Sequence, residues 1–261
     1  MHAPRPRVDR VSDEKTPAER ALRALADSVD HSRPRRRDDG TDPGIPVAAT
    51  VVIVRDGADG PEVLLIERPD RGSFAGAWVF PGGKLEPADH DADDEGEEDA
   101  ARRAGVRETW EETGLELDPA RLVTLSVWDP PPGIALRIRT WFFVAPAAGV
   151  ELALSADEAV AAEWIRPADL LARHAAGAVT LYPPTWVTLD GLQGTPSAAG
   201  LVERVRAGGM RRFETIARPG ANGPMLLWQG DAEYDDEAGD AASARHRMQL
   251  GSLPWIYTRS D

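Results

Sequence analysis

Cysteine is absent from the 261 residues. That excludes a disulfide framework, a thiol nucleophile and a zinc–thiolate centre. Long apolar runs are absent too: no stretch approaches the roughly eighteen apolar residues that mark a spanning helix. The first residues carry no apolar signal core. An excess of positive charge is also missing. The formal net charge of −14 argues against a protein that lives on a polyanion surface. It leaves a phosphate substrate open, because bound cations invert the local sign. No Gly-x-Ser-x-Gly elbow occurs. Gly82-Gly83-Lys84 lacks both the following Ser or Thr and the glycine spacing of a P-loop. The five histidines, His2, His31, His90, His174 and His246, are scattered without ligand spacing and read as surface residues. No internal repeat is found. These absences point to a soluble, cytoplasmic protein with neither a nucleic-acid nor a membrane partner.

Hydrophobic residues make up 42% of the chain, enough for a core. The sequence is organised around Arg107-Glu108-Thr109-Trp110-Glu111-Glu112-Thr113-Gly114. On a helix, Glu108, Glu111 and Glu112 share one face at i, i+3 and i+4. Such carboxylates repel one another unless a hard divalent cation sits among them. Val106, Trp110 and Thr113 form the stripe expected to face a core, and Gly114 stands where a C-cap glycine belongs. Pro46 to Arg55 and Glu62 to Arg68 read as a hairpin across an Asp-Gly turn. Trp78 to Phe80 reads as a short strand running into Pro81-Gly82-Gly83. His90 to Asp99 reads as an acidic, solvated loop, with the helix starting near Asp99 or Ala100. Gly105 inside that helix has no evident reason. Further strands are expected at Arg121 to Trp128, Leu136 to Val144 and Ala159 to Ile165, and a helix from Pro167 to Ala175. Beyond Gly177 come helices at Thr185 to Leu192 and Ala198 to Ala207. Short strands follow at Phe213 to Ala217, Pro224 to Gln229, Arg245 to Leu250 and Trp255 to Thr258, with an acidic loop from Asp231 to Asp240. Residues 1–44 read as a disordered tail with one short helix, Thr16 to Val29.

These residues carry a resemblance. Val79-Phe80-Pro81-Gly82-Gly83, followed by Arg107, Glu108, Glu111, Glu112, Gly114 and Leu115, is similar to the Nudix hydrolase box. Three departures stand out. Asp89 replaces the first box glutamate, Thr109 replaces an aliphatic residue, and seventeen residues separate Asp89 from Arg107 where the box has ten fewer. The resemblance implies an α/β fold, the Nudix-type α/β/α sandwich with a mixed sheet, over residues 45–176. A tail (1–44) precedes it and a C-terminal α+β extension (177–261) packs on it. It implies hydrolysis of a nucleoside diphosphate linked to another group, with Mg²⁺ or Mn²⁺ as cofactor and a small-molecule nucleotide as partner. By the same resemblance Glu108, Glu111 and Glu112 are metal ligands, with a carbonyl at Gly82 adding to the set. Arg107 holds the helix carboxylates, pairing with Glu111. Glu158, with Asp157 as runner-up, completes the site as ligand or base. Arg68, Arg71, Arg137 and Arg139 are the candidate phosphate contacts. The lead-in from Leu64 to Gly83 and the interrupted box resemble the coenzyme A diphosphatase branch. ADP-ribose or NADH, nucleoside triphosphates and a non-catalytic sensor remain as alternatives. The sequence is silent on oligomeric state, and a homodimer is allowed.

Overall fold

A computed structural model of the chain describes residues 17–36, 38–42, 44–72, 74–91, 96–134, 137–147, 149, 152–155, 158–234 and 243–260. Asp157 and Leu136 lie outside the described residues, as do residues 1–16, 92–95 and 235–242. In chain order the helices are α1 (Pro17–His31), α2 (Glu97–Thr113), α3 (Pro167–Ala175), α4 (Pro183–Leu192) and α5 (Ala198–Gly208). The first seven strands are β1 (Val47–Gly57), β2 (Gly60–Glu67), β3 (Trp78–Val79), β4 (Gly82–Lys84), β5 (Val123–Asp129), β6 (Arg139–Pro146) and β7 (Ala161–Ile165). The last five are β8 (Arg211–Glu214), β9 (Ile216–Gly220), β10 (Gly223–Leu227), β11 (His246–Gln249) and β12 (Ile256–Arg259).

The Val- and Ile-rich β1 is central because both of its faces are buried. Val52 and Val54 enter one core and Ala49, Val51 and Ile53 the other. The sheet runs β3-β2-β1-β6-β5-β8, with β4 on β1 and β7 on β2. It is mixed: β1 pairs with β6 in parallel and with β2 antiparallel, closing the expected hairpin at Gly57 and Gly60. Helix α2 covers one face, and α5 with the rest of the C-terminal segment covers the other. The result is the mixed-sheet α/β sandwich that the sequence implied. Strands β9 to β12 form a second, antiparallel sheet. Among the described residues no helix is long and apolar enough to cross a membrane.

Several expectations need correction. Helix α2 starts at Glu97, inside the supposed loop. Its first turn holds Glu97, Glu98 and Asp99, which suits the positive end of a helix dipole. Glu97 also accepts from Arg139 at 2.8 Å and from the Trp141 indole at 2.7 Å. Trp110 does not face a core: it is 56% exposed. Thr113 of the expected stripe is buried, and the rest of the buried face is Ala100, Ala101, Ala104, Gly105, Thr109 and Glu112. Gly105 now has its reason. A Cβ there would lie 3.1 Å from Val51 and 3.6 Å from Ala49, so the glycine lets α2 lie close on β1. Strand β6 begins at Arg139, opposite Val47 where β1 begins. The strand expected from Phe213 to Ala217 is two strands broken at Thr215, because β8 joins the main sheet and β9 the second. Within the expected tail, α1 packs Leu22 and Val29 against the main core. The segment beyond residue 177 packs on the main core: Leu181, Leu189, Leu201 and Phe213 share one cluster with Val52 and Leu170.

His174 is buried rather than on the surface, 3% exposed. It packs against Trp255, and its Nδ1 has no hydrogen-bond partner among the described residues. Burial pushes the imidazole down to about 4. Between pH about 6.5 and that value the unfolded chain takes up a proton that the native chain refuses, so stability falls as pH falls. The full effect is on the order of 3 kcal/mol. Urea unfolding across this window is expected to show His174→Leu losing less stability than wild type by roughly that amount.

Candidate active site

Strand β1 holds the site from one side. The Thr50 hydroxyl reaches the Phe80 and Pro81 carbonyls at 3.1 and 2.7 Å, and the Val51 N–H donates to Pro81 at 2.9 Å. Gly82 follows at φ 152°, and a Cβ there would overlap the Ala49 carbonyl. A Cβ on Gly83 would overlap the Glu108 carboxylate. Gly82 therefore lets this turn lie directly against β1, and Gly83 lets it lie against α2. Across the contact, the Gly82 N–H donates to Glu112 at 2.8 Å, and Arg68 donates to the other Glu112 oxygen at 3.3 Å.

A pocket of about 500 Å³ opens over this contact. Glu108, Glu112 and Glu158 all line it, with Gly82 and Gly83 between them and Arg68 and Lys84 as its cations. Burial pushes the Glu112 carboxyl up to about 8, against the Gly82 N–H and Arg68 and with the help of Glu108 and Glu158. Burial also raises Glu108, outweighing its bond to Arg107. One Glu158 oxygen is buried without a hydrogen-bond partner among the described residues. Among those residues no three acidic or histidine side chains are already drawn into a ligand cage. Each helix carboxylate accepts from an internal donor: Glu108 and Glu111 from Arg107, and Glu112 from the Gly82 N–H. The donor set still fits a hard divalent ion: carboxylate oxygens in a partly desolvated pocket, one of them orphaned, beside a tight glycine turn.

Arg107 is the hub behind the pocket. It donates to both oxygens of buried Asp89 at 3.1 and 2.9 Å, to Glu108 at 2.9 Å and to Glu111 at 3.2 Å. Its bond to Asp89 contributes most to raising the guanidinium pKa. At Asp89 burial works upward, but Arg107 and the Glu86 N–H outweigh it and hold the carboxyl below its usual range.

Residues 44–183, more than half of the chain, match the model of the NUDIX domain. The chain belongs to the Nudix family. A CTP pyrophosphohydrolase of Escherichia coli (strain K12) is 40% identical over 65 residues. That match spans 25% of this chain and 38% of the relative's length. A Nudix hydrolase structure from Alicyclobacillus acidocaldarius is similar with a TM-score of 0.54 at 25% identity, covering 61% of this chain and 96% of that one. A MutT Nudix hydrolase structure from Burkholderia pseudomallei gives a TM-score of 0.43 at 28% identity, covering 56% and 95%.

Glu108, Glu112 and Glu158 meet in the pocket, and Arg68 joins them. Glu111 does not line it, and its side chain is 39% exposed. Arg71 lies exposed on the loop before the box. Arg137 and Arg139 are corrected. Thr140 and Phe142 of β6 turn to the pocket, so the alternation of the strand sends Arg139 to the opposite face, and Arg137, just before the strand, does not line the pocket either. Arg137 pairs with Asp42 at 3.4 Å, and Arg139 is buried against Asp129 and Glu97. Sequence reasoning missed the tie between Asp89 and Arg107. Seventeen residues separate them in sequence, and only the fold brings them together. The aromatic wall of Phe74 and Tyr182 was missed as well, since only tertiary folding joins positions so far apart.

Proposed function

We propose that this Nudix protein is a divalent-cation-dependent pyrophosphohydrolase that splits the diphosphate of a nucleotide conjugate by attack of water on phosphorus. The observation that supports this most is the convergence of Glu108, Glu112 and Glu158 over the Gly82–Gly83 turn. Glu108 and Glu112, with Glu111 and the Gly82 carbonyl, would hold Mg²⁺ or Mn²⁺. When bound, such an ion supplies charge neutralisation of the diphosphate and acidifies the attacking water. Glu158, with its unpaired oxygen, takes the water proton as general base. Arg107 is a positioning residue that keeps Glu108 turned to the pocket. Arg68 reaches into the pocket to meet a phosphate.

Within this class we propose a coenzyme A-type conjugate as the first substrate, on the lead-in motif from Leu64 to Gly83. CTP is second, because a pyrophosphohydrolase named for it shares the matched segment. A charge-assisted bond from arginine to phosphate contributes about 1.5–3 kcal/mol. Arg71→Ala is therefore expected to lower kcat/KM for coenzyme A roughly tenfold or more, with a much smaller effect on dephospho-coenzyme A. Equal losses on both would make Arg71 structural. The deciding experiment is a turnover panel of the full chain with Mg²⁺ or Mn²⁺. It covers coenzyme A, CTP, ADP-ribose, NADH and diadenosine polyphosphates. Cleavage of at least one at its diphosphate is expected. Binding without cleavage across the panel would replace the enzyme by a ligand sensor.

A further inference from the structure

Two parts of the chain outside the family-matched span, helix α1 and the strands beyond residue 183, meet over one end of the pocket. Between them lies a second cavity of about 570 Å³. It is continuous with the carboxylate pocket: Phe74, Ile138, Thr140, Tyr182 and Pro184 line both. Its far wall is Ala24, Asp27 and His31 of α1, Pro130 and Pro131 of the turn after β5, and Leu226 of β10. Such a volume suits a small-molecule group.

The chemistry of the wall is selective. Most of it is apolar, and among the described residues no Lys or Arg lines it. Its acidic members are Asp27 and Asp129. A phosphate placed there would find like charge and no guanidinium, whereas an apolar group would lose water against the apolar wall. The boundary between the two spaces is built with strain. Phe74 is the one non-glycine residue at positive φ among the described residues, at 59°, a conformation that bulky side chains rarely adopt. Its ring stands edge-on to Tyr182, centroids 4.7 Å apart at 87°. Arg20 of α1 pairs with Asp70 of the loop that carries Phe74, so α1 is tied to this boundary.

We propose that the second cavity receives an uncharged, largely apolar group attached to the far phosphate of the scissile diphosphate, so that the preferred substrate is a nucleoside diphosphate esterified to an alkyl- or aryl-type alcohol. This rests on the pyrophosphohydrolase reading. Water adds to one phosphorus, the bond from that phosphorus to the bridging oxygen breaks, and the bridging oxygen leaves with the other phosphate. The water proton passes to Glu158. The products are a nucleoside monophosphate and an alkyl or aryl monophosphate, with no redox change.

The test uses two non-hydrolysable probes of equal charge, the β-methyl and β-octyl esters of α,β-methylene-ADP, titrated calorimetrically into the full chain with Mg²⁺. The octyl ester is expected to bind wild type at least tenfold more tightly. Ala24→Trp, placed on an exposed helix position, should erase that difference and leave the methyl ester's affinity unchanged. Asp27→Leu should widen the difference. Equal affinity of the two esters for wild type overturns the proposal, as does an octyl advantage that neither variant alters. Ala24→Trp weakening both esters alike also overturns it. Failure of both esters to bind would remove the pyrophosphohydrolase reading itself, a result distinct from equal binding.

Discussion

Glu112→Gln is expected to lower kcat by about a hundredfold or more, with saturating metal, while the protein stays folded. The charge on Glu112 is its costly feature. The side chain is 1% exposed, and burial already pushes the carboxyl up to about 8. Gln keeps the shape, keeps an oxygen for the Gly82 N–H and cannot take the ionised form that burial disfavours, so stability should hold. What disappears is a hard anionic donor. Neutralisation of a diphosphate by a held cation contributes several kcal/mol to the barrier, and each 1.4 kcal/mol or so is tenfold in rate. Glu108→Gln should behave similarly, because Glu108 lines the same pocket. Glu111→Gln should lose less, since Glu111 is more exposed and lies off the pocket wall. The original symmetry of the three carboxylates on one helix face therefore breaks. Turnover and circular dichroism melts on the three variants give the answer. Near wild-type turnover of Glu112→Gln would sink the metal-site reading.

Much of this arrangement was legible before any coordinates. The Val- and Ile-rich β1, the hairpin at Gly57 and Gly60, and the glycine cap of α2 follow from short-range rules, and each appears where the residues indicated. Gly114 sits at φ 71° and its N–H bonds back to Trp110 at 2.8 Å. The error at Trp110 is instructive. A large aromatic residue was taken to mark the buried face of α2. A helix lying this close on a strand admits only small side chains, so the true marker was the Ala101, Ala104, Gly105 and Thr109 stripe. In the sequence Asp89 stood out as a departure from the box. In the structure a shorter carboxylate reaches the same Arg107 from a buried 3-10 turn, where Asp89 also accepts the Glu86 N–H at 2.8 Å. What could not be read is whatever depends on distant segments meeting. The second cavity needs α1, the proline-rich turn after β5 and β10 in one place, and no local pattern encodes that meeting.

Arg139→Met is expected to destabilise the protein by about 3 kcal/mol while leaving KM within roughly twofold of wild type. In sequence Arg139 looked like a phosphate contact; in the fold it is an internal clamp. Its Nε donates to Asp129 at 2.7 Å, one Nη to Glu97 at 2.8 Å and the other to the Gly40 carbonyl at 2.5 Å. It thereby ties β6 to β5, to the first turn of α2 and to the segment before β1. Asp129 is fully buried. Removing one partner of a buried pair costs about 3–5 kcal/mol, because the remaining charge stays desolvated. Here Arg212 still reaches Asp129 at 2.6 Å, which argues for the lower end of that range. Met retains most of the apolar stem, so the loss reports charge and hydrogen bonds rather than a cavity. For a chain of this size about 3 kcal/mol corresponds to a Tm lower by roughly 10 °C. The substrate pocket lies on the other face of β6, so kinetics measured well below Tm should barely move. An unchanged Tm together with a several-fold rise in KM would return Arg139 to the substrate site and would mean that the Asp129 cluster holds without it.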